Sequence, residues 1–348
     1  MKIIKKIERK INKVLINLIN KKEKAYKDYG LDIYFSPPLK RFIFKGKRTR
    51  PILMVLSYLG YGGSECPNIY TCAASIELLH TFFLIHDDLI DRSSLRRNLP
   101  TVHRSLQKII ERRFGRNYIE TGEGLAIILG DLIYNLAVST LLKSSMNYNK
   151  QKLVMKRILE VVDYTLVGEA LDVILSKRDI SKVSKKDIFN CYELKTAKYT
   201  FELPLYLGAL LASADNKELM KLSKYGSYLG RAFQIRDDIL GTFGNRKIIG
   251  KLASSDFKEA KKTILVWKAY NKSSEDKKAF IKNKFAKKTI DSKDITKLKK
   301  IIKDSSALEF ANQEIKNCLR KAKVLNKYLK MKDKYKEIIN KFVLKILS

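Results

Sequence analysis

The sequence predicts an all-α fold, and three observations carry that expectation. Only 6 prolines and 16 glycines punctuate 348 residues that are 45% hydrophobic, a composition that favours long helices over a turn-rich β architecture. Apolar residues recur at helical spacing from the start, at Ile4, Ile7, Ile11, Val14, Leu15 and Leu18, with lysines opposite. The most apolar run, residues 125–142, contains Gly130, Asp131 and Asn135, so it is expected as a buried core helix and not as a membrane span. A chain of this length can bury a large core. With no linker and no tandem repeat in view, one domain over residues 1–348 is expected.

Taken in order, the first helix is expected over residues 4–26, and Pro37-Pro38 are expected to break the chain before the next element. Gly46-Lys47-Arg48-Thr49-Arg50-Pro51 reads as a basic turn. Pro67 starts a long helix that runs through His80 to Asp87, since a proline's missing N–H has no partner to lose in a first turn. Residues 121–145 and 150–177 read as two further core helices. On the second, Thr165, Glu169 and Asp172 share a face at i, i+4 and i+7. Pro204 kinks or restarts the helix that follows Leu194-Lys195-Thr196-Ala197-Lys198-Tyr199. After an amphipathic run ending at Phe233-Gln234-Ile235, the residues Gly241, Gly244, Asn245 and Gly250 make a turn-rich stretch that delivers Lys251, Asp256 and Lys261. From about residue 262 the chain is helical and lysine-rich.

The net charge of +35 is concentrated at the ends: residues 1–50 carry +12 and residues 251–348 carry +17, with 54 lysines against 17 arginines overall. Phosphate neutralisation needs such cations, but the basic runs lack interleaved aromatics for base stacking and contain no nucleic-acid motif. Lysine-rich solvated helix faces account for the excess, with weak contact to an anionic membrane surface as the other use of it. Nucleic acid is not expected as a partner. Cys66, Cys72, Cys191 and Cys318 form no CxxC pair, which reads as free thiols in a reduced compartment. The N-terminus lacks a signal-peptide layout, and a cytoplasmic location is expected.

Two acidic stretches carry the chemistry. Asp87-Asp88-Leu89-Ile90-Asp91 closes an apolar helical run, and Asp237-Asp238-Ile239-Leu240-Gly241 closes another. On a helix of about 3.6 residues per turn, Asp87 and Asp91 lie one turn apart and Asp88 is about 100° round from Asp87, so the three are expected in one sector. Carboxylates gathered at an apolar helix end repel one another and lose hydration, and cations relieve both costs. Oxygen-only ligands favour a hard ion, and Mg²⁺ typically takes one or two carboxylates with water and substrate phosphates. Arg96 and Arg97 suit diphosphate oxygens, because the guanidinium fork binds them in bidentate fashion.

With the two acidic stretches, the basic turn and the Lys195-Thr196 element in this order, the chain resembles the trans-isoprenyl diphosphate synthases of the short-chain polyprenyl synthetase family, over about residues 40–325. The resemblance implies a helical bundle of about ten long helices around a deep cavity. It implies head-to-tail condensation of isopentenyl diphosphate with an allylic diphosphate to a C15 or C20 product, three Mg²⁺ ions, and a homodimer. It makes Asp87, Asp88, Asp91, Asp237 and Asp238 the metal set. Lys47, Arg50, His80 and Arg97 then face the homoallylic diphosphate, Arg96 and Lys195 the allylic one, and Thr196 is a further substrate-binding residue. Gln234 belongs to the second aspartate motif; Lys251, Asp256 and Lys261 fit the family's GKxxxxD…K loop, whose lysines close over the allylic diphosphate; and Phe82 and Phe83 belong to the floor that sets product length. Departures from the family pattern are Lys45 for a glycine, Thr49 for an apolar residue, Glu169 for a glutamine, and Gly241 for an aspartate. The last leaves the second stretch one carboxylate short and bears on the third ion. A class I terpene cyclase or a catalytically weak partner subunit of a heteromeric synthase are the alternatives. The cyclase would not need the Lys47/Arg50 grip, and the weak subunit would be expected to have lost carboxylates.

Overall fold

The computed structural model describes residues 2–115, 118–244, 255–286 and 290–347. The expected all-α architecture is what forms. Six helices of 21–30 residues make the frame: α1 (Lys2–Lys27), α4 (Pro67–Ile90), α6 (Ile119–Leu142), α7 (Tyr148–Lys177), α10 (Asn216–Phe243) and α15 (Ala307–Lys327). Between them lie α2 (Asp32–Ile43), α3 (Thr49–Gly60), α5 (Val102–Phe114), α8 (Lys185–Cys191) and α9 (Leu203–Leu211). The chain continues through α11 (Ser255–Lys258), α12 (Ile264–Lys272), α13 (Glu275–Ala286), α14 (Ser292–Asp304) and α16 (Asp333–Leu347).

Helix α4 is the central post. It is buried nearly all round from Ile69 to Phe82, and α1, α3 and α6 pack against it. Such all-round burial is why its sequence has no polar stripe. Its C-terminal half, from Glu77 to Ile90, opens on one side toward a cavity. The lysine-rich part after residue 262 is built on the opposite plan. In α14 the buried residues are Leu298, Ile301 and Ile302, at i, i+3 and i+4, with lysines on the other face. Those residues join Ile235 and Ile239 of α10, Phe257, Ile264, Leu265 and Phe285 in a second apolar cluster behind the cavity.

Three expectations are corrected. Pro37 and Pro38 lie inside α2 and do not end it. A proline in a helix costs about 3 kcal/mol, but Phe35, Pro38, Leu39 and Phe42 are buried together on one face. Burying a large apolar side chain is worth roughly 1.5–3 kcal/mol, so the stripe outweighs the lost bonds. Gly241 is helical as well, since α10 continues to Phe243. Helices α4 and α6 both have the length and hydropathy of a membrane span. Helix α4 is enclosed, but α6 packs one face on α4 and α5 and leaves Ile127, Ile128 and Leu142 about half exposed.

Two features had no counterpart in the sequence reading. The rod from α8 to α9 passes through a π-helical stretch, Tyr192–Glu202, which packs between α7 and α10. Glycines permit the close approach: a Cβ at Gly168 would run into the backbone of Lys195, and one at Gly230 into Ala197. Pro204 then restarts the α-helix from its first turn, as expected. The second feature is a hairpin, Leu95–Arg96 paired with Leu99–Pro100. Its two turn residues, Arg97 and Asn98, both have positive φ (54° and 62°), the conformation of a type I′ turn.

One stability prediction arises in α5. His103 is buried, and that burial, reinforced by Arg104, lowers its pKa to about 4 from the usual 6.5. The unfolded chain therefore takes up this proton at higher pH than the folded one, so stability falls as pH drops from about 6.5 toward 4. In His103→Gln the pH dependence of Tm across that window should flatten. An unchanged slope would exclude His103 as its source.

Candidate active site

A cavity of about 810 Å³ opens among the C-terminal end of α4, α7, the π-helical stretch, α10 and the hairpin. Its electrostatics are built from carboxylates, most of them on α4, α7 and α10, and cations from four separate segments.

At the first acidic stretch, Asp87 lines the cavity, and the Arg96 guanidinium donates to it (Nη2 to Oδ2, 2.6 Å) and to Asp88 (Nε to Oδ1, 2.7 Å). Asp88 is fully buried under Arg96 and does not line the cavity. The 100° step between neighbours on the helix turns it away, and Asp91 does not line the cavity either, so of the three residues expected in one sector Asp87 alone faces the cavity. Asp91, the C-cap of α4, is within 2.7 Å of Lys261 Nζ. Burial and then the neighbouring Asp87 push the Asp91 carboxyl up, against the pull of Lys261.

Lys195 sits on the π-helical stretch and meets three carboxylates: Asp172 at 2.7 Å, Glu169 at 2.9 Å and Asp87 at 3.2 Å. Lys261 meets Asp91, Glu259 at 3.0 Å and Asp172 at 3.7 Å. Burial opposes the charge of both lysines, but the surrounding carboxylates outweigh it and hold each ammonium firmly protonated. Burial raises the Glu169 carboxyl to about 7 despite Lys195. Thus Glu169 and Asp172, expected on one shared face, join the cluster through Lys195.

The second acidic stretch faces the same cavity through Asp237 and Asp238. Asp238 is buried and accepts hydrogen bonds from Tyr192 Oη and from Gln234 Nε2 (3.0 Å). Gln234 Oε1 in turn accepts from Thr196 Oγ1 at 2.7 Å, and Tyr192 Oη accepts from the Ile264 N–H at 2.9 Å. One network therefore ties the π-helical stretch, α10 and α12 together. Tyr192 was not singled out from the sequence, because nothing local links it to a residue 46 positions away. Lys251 lies outside the described residues.

A basic wall stands on the other side. Lys47, Arg50, His80 and Arg97 line the cavity. Arg50 donates to Thr200 Oγ1 at 2.7 Å and lies 4.3 Å over the Tyr199 ring, a cation–π arrangement that also orients it. His80 is buried, and burial with Arg50 and Arg97 nearby keeps its ring neutral at ordinary pH. Its Nδ1 is buried with no hydrogen-bond partner. Arg48, given no role in the sequence reading, is buried and donates to Glu77 (2.9 Å) and Asn12 (2.8 Å). Its backbone is left-handed (φ 53°) at the start of α3, between Lys47 and Arg50, which both line the cavity.

Below the aspartates, Phe82 and Phe83 both line the cavity. Their rings are 5.0 Å apart; Phe83 packs on Tyr199 (5.1 Å), and Phe82 on His86 (4.8 Å) and Tyr134 (5.2 Å).

Comparison with known proteins decides the family: the polyprenyl synthetase profile matches residues 34–302. The chain belongs to the polyprenyl synthetase family. It is 30% identical over 308 residues to the geranylgeranyl diphosphate synthase of Sulfolobus acidocaldarius, an alignment covering 88% of each chain. To the geranylfarnesyl diphosphate synthase of Aeropyrum pernix it is 31% identical over 300 residues, 85% of this chain and 87% of that one. Among solved structures, a geranylgeranyl pyrophosphate synthase from Corynebacterium glutamicum, complexed with isoprenyl diphosphate and magnesium, superposes with a TM-score of 0.92. That match is at 26% identity and covers 99% of this chain and 98% of the other. Membership makes this protein a prenyltransferase of isoprenoid biosynthesis that elongates prenyl chains.

Proposed function

We propose that the protein condenses isopentenyl diphosphate head-to-tail with an allylic diphosphate, with three Mg²⁺ ions, to give a short prenyl diphosphate, C15 or its C20 neighbour. The observation that carries this reading is the pair of acidic stretches facing one cavity, with a basic wall opposite the first of them. One end suits metal ions and an ionising diphosphate, the other a second diphosphate that is only held.

The donor set fits Mg²⁺. It is carboxylate oxygen, and among the described residues no three His, Cys, Asp or Glu side chains come together as a closed cage for one ion. Mg²⁺ needs none, since it keeps waters and shares substrate phosphates. Asp87, Asp91 and Asp237 would hold the ions, with Asp238 kept in place by Tyr192 and Gln234, and Asp88 anchoring Arg96. When bound, Mg²⁺ neutralises charge that builds on the allylic diphosphate as it leaves. Lys195, Lys261 and Arg96 add fixed positive charge at the same end, where preorganised cations favour the departing anion. The unpartnered Nδ1 of His80, together with Lys47, Arg50 and Arg97, suits the second diphosphate and orients the isopentenyl double bond toward the allylic carbon. Tyr199, Phe83 and Phe233 form apolar walls that exclude water, which would otherwise quench the allylic cation.

We extend the reading to a single domain acting as a homodimer. Exposed apolar residues on α6 and α7, including Ile127, Ile128, Leu166, Val167 and Ile174, support it, because monomers rarely leave such patches bare.

The direct test incubates the purified protein with isopentenyl diphosphate, Mg²⁺ and each allylic primer, and sizes the products. Within that assay, Lys47→Ala and Arg50→Ala should raise KM for isopentenyl diphosphate more than KM for the primer. A lost charge-assisted hydrogen bond costs roughly 1.5–3 kcal/mol, or about tenfold and upward in affinity. Equal rises for both substrates would refute the division into two diphosphate ends.

A further inference from the structure

We infer that the outer face of α1 is a docking strip for an anionic lipid surface, which holds the enzyme reversibly at a membrane.

Helix α1 divides into two faces. The inward one buries Ile7, Ile11, Leu15, Ile19 and Tyr26. At about 100° per residue, Lys2, Lys5, Arg9, Lys13, Lys24 and Lys27 fall within one sector of about 100° on the opposite side, and all six are exposed. The ion pairs that α1 makes among the described residues use other side chains: Lys6 and Lys10 with Glu65, and Glu23 with Lys40. Between Lys13 and Lys24 the exposed face continues through Ile16, Asn17 and Asn20, and Glu23 at its edge is already held by Lys40. From Lys2 to Lys27 the helical rise gives a strip about 38 Å long. The surface is not uniformly basic, since α6, of similar length, has no lysine or arginine.

Charge fixes the sign of the partner, and shape fixes its kind. The strip is slightly longer than one turn of a nucleic-acid duplex, about 34–36 Å, so duplex phosphates would wind away from most of it. Single strands bind on stacked aromatic rings, but Tyr26, the one aromatic of α1, is turned inward onto Phe35. A bilayer is flat and meets the strip at every step. Just beyond the last lysine, Tyr29 and Ile33 are 79% and 41% exposed, and a tyrosine suits the headgroup level. The apolar face of α1 is already packed in the protein, so the contact is electrostatic and reversible. The activity gives it a use: elongation builds an apolar tail on a diphosphate, and each buried CH₂ of such a tail favours the bilayer.

The test is co-sedimentation of the full chain with phosphatidylcholine vesicles, with and without phosphatidylserine. The wild type is expected on the anionic vesicles only. It should be released as salt shortens the Debye length from about 10 Å at 0.1 M to about 3 Å at 1 M. A chain of net charge +35 is drawn to any anionic surface, so two variants of equal charge decide the matter. The first combines Lys5→Gln, Arg9→Gln, Lys13→Gln and Lys24→Gln. At about fivefold per charge near the surface, it should bind at least about 100-fold more weakly. The second combines Lys108→Gln, Lys143→Gln, Lys217→Gln and Lys272→Gln, exposed cations from α5, the end of α6, α10 and α12. It should lose less than about tenfold. Both should keep wild-type turnover in solution, which establishes that they are folded. A Lys5→Arg, Lys13→Arg, Lys24→Arg variant keeps the charge and should bind vesicles as the wild type does. Equal losses in the two quadruple variants, or no wild-type binding to anionic vesicles, would overturn the inference. So would a strip that retains RNA but not vesicles.

Discussion

Replacing Asp87 or Asp237 by alanine is expected to lower turnover by several orders of magnitude while leaving the fold intact. The two halves of that result have separate causes. A single preorganised group that stabilises transition-state charge is typically worth about 10²–10³ in rate, or roughly 3–4 kcal/mol, and a metal ligand removes both its own oxygen and part of the ion's hold. The fold is protected because Arg96 and Lys195, which both meet Asp87, have other carboxylates to hold. Arg96 keeps Asp88, and Lys195 keeps Glu169 and Asp172. Removing Asp87 also relieves the like-charge pressure on Asp91. Initial rates with labelled isopentenyl diphosphate, set beside thermal melts of the same preparations, check both halves. Near-normal turnover in either variant would sink the proposed metal role of that aspartate.

The frame was legible because its helices bury continuous apolar faces, and both the 3.6-residue period and the turn residues between helices survive in the sequence. The acidic stretches and the basic turn were legible for a related reason: their chemistry is local. What escaped the reading depends on partners distant in sequence. The π-helical stretch leaves no periodic mark, and its position depends on Gly168 and Gly230 giving way to its backbone. The Tyr192–Asp238–Gln234–Thr196 network joins positions whose relation appears only once the π-helical stretch lies against α10. Asp88 had the right residue type but the wrong rotation. Pro37-Pro38 had a correct local rule overridden by burial. The hairpin was within reach, since Asn98 is a residue that tolerates positive φ and is common in two-residue turns. The exposed face of α6 is not legible in the sequence because hydropathy alone does not distinguish a helix enclosed on all sides from one with a bare apolar face.

Phe83→Ala is expected to lengthen the product by at least one isoprene unit. Phe83 is four residues ahead of Asp87, so the helical rise puts it about 6 Å along α4 from the proposed metal ligand, on nearly the same face. Its ring is partly exposed to the cavity and leans on Tyr199 at 5.1 Å, where a growing tail would meet it. Phe82 has a different place. It is 8% exposed, and His86, Tyr134 and Phe83 surround it, so it backs the floor more than it forms the surface. Truncating Phe83 should therefore free volume directly, whereas Phe82→Ala should act mainly by letting Phe83 retreat. The effects of the two in combination should fall short of their sum, because once Phe83 is truncated no ring remains to retreat into the space left by Phe82. Truncating a fully buried phenylalanine costs about 3–5 kcal/mol. Phe83 should cost less because it is only half-buried, which leaves a folded protein to assay. Products extracted, dephosphorylated and sized by chromatography give the answer. A well-folded Phe83→Ala enzyme with an unchanged distribution would mean that the tail is stopped elsewhere in the cavity.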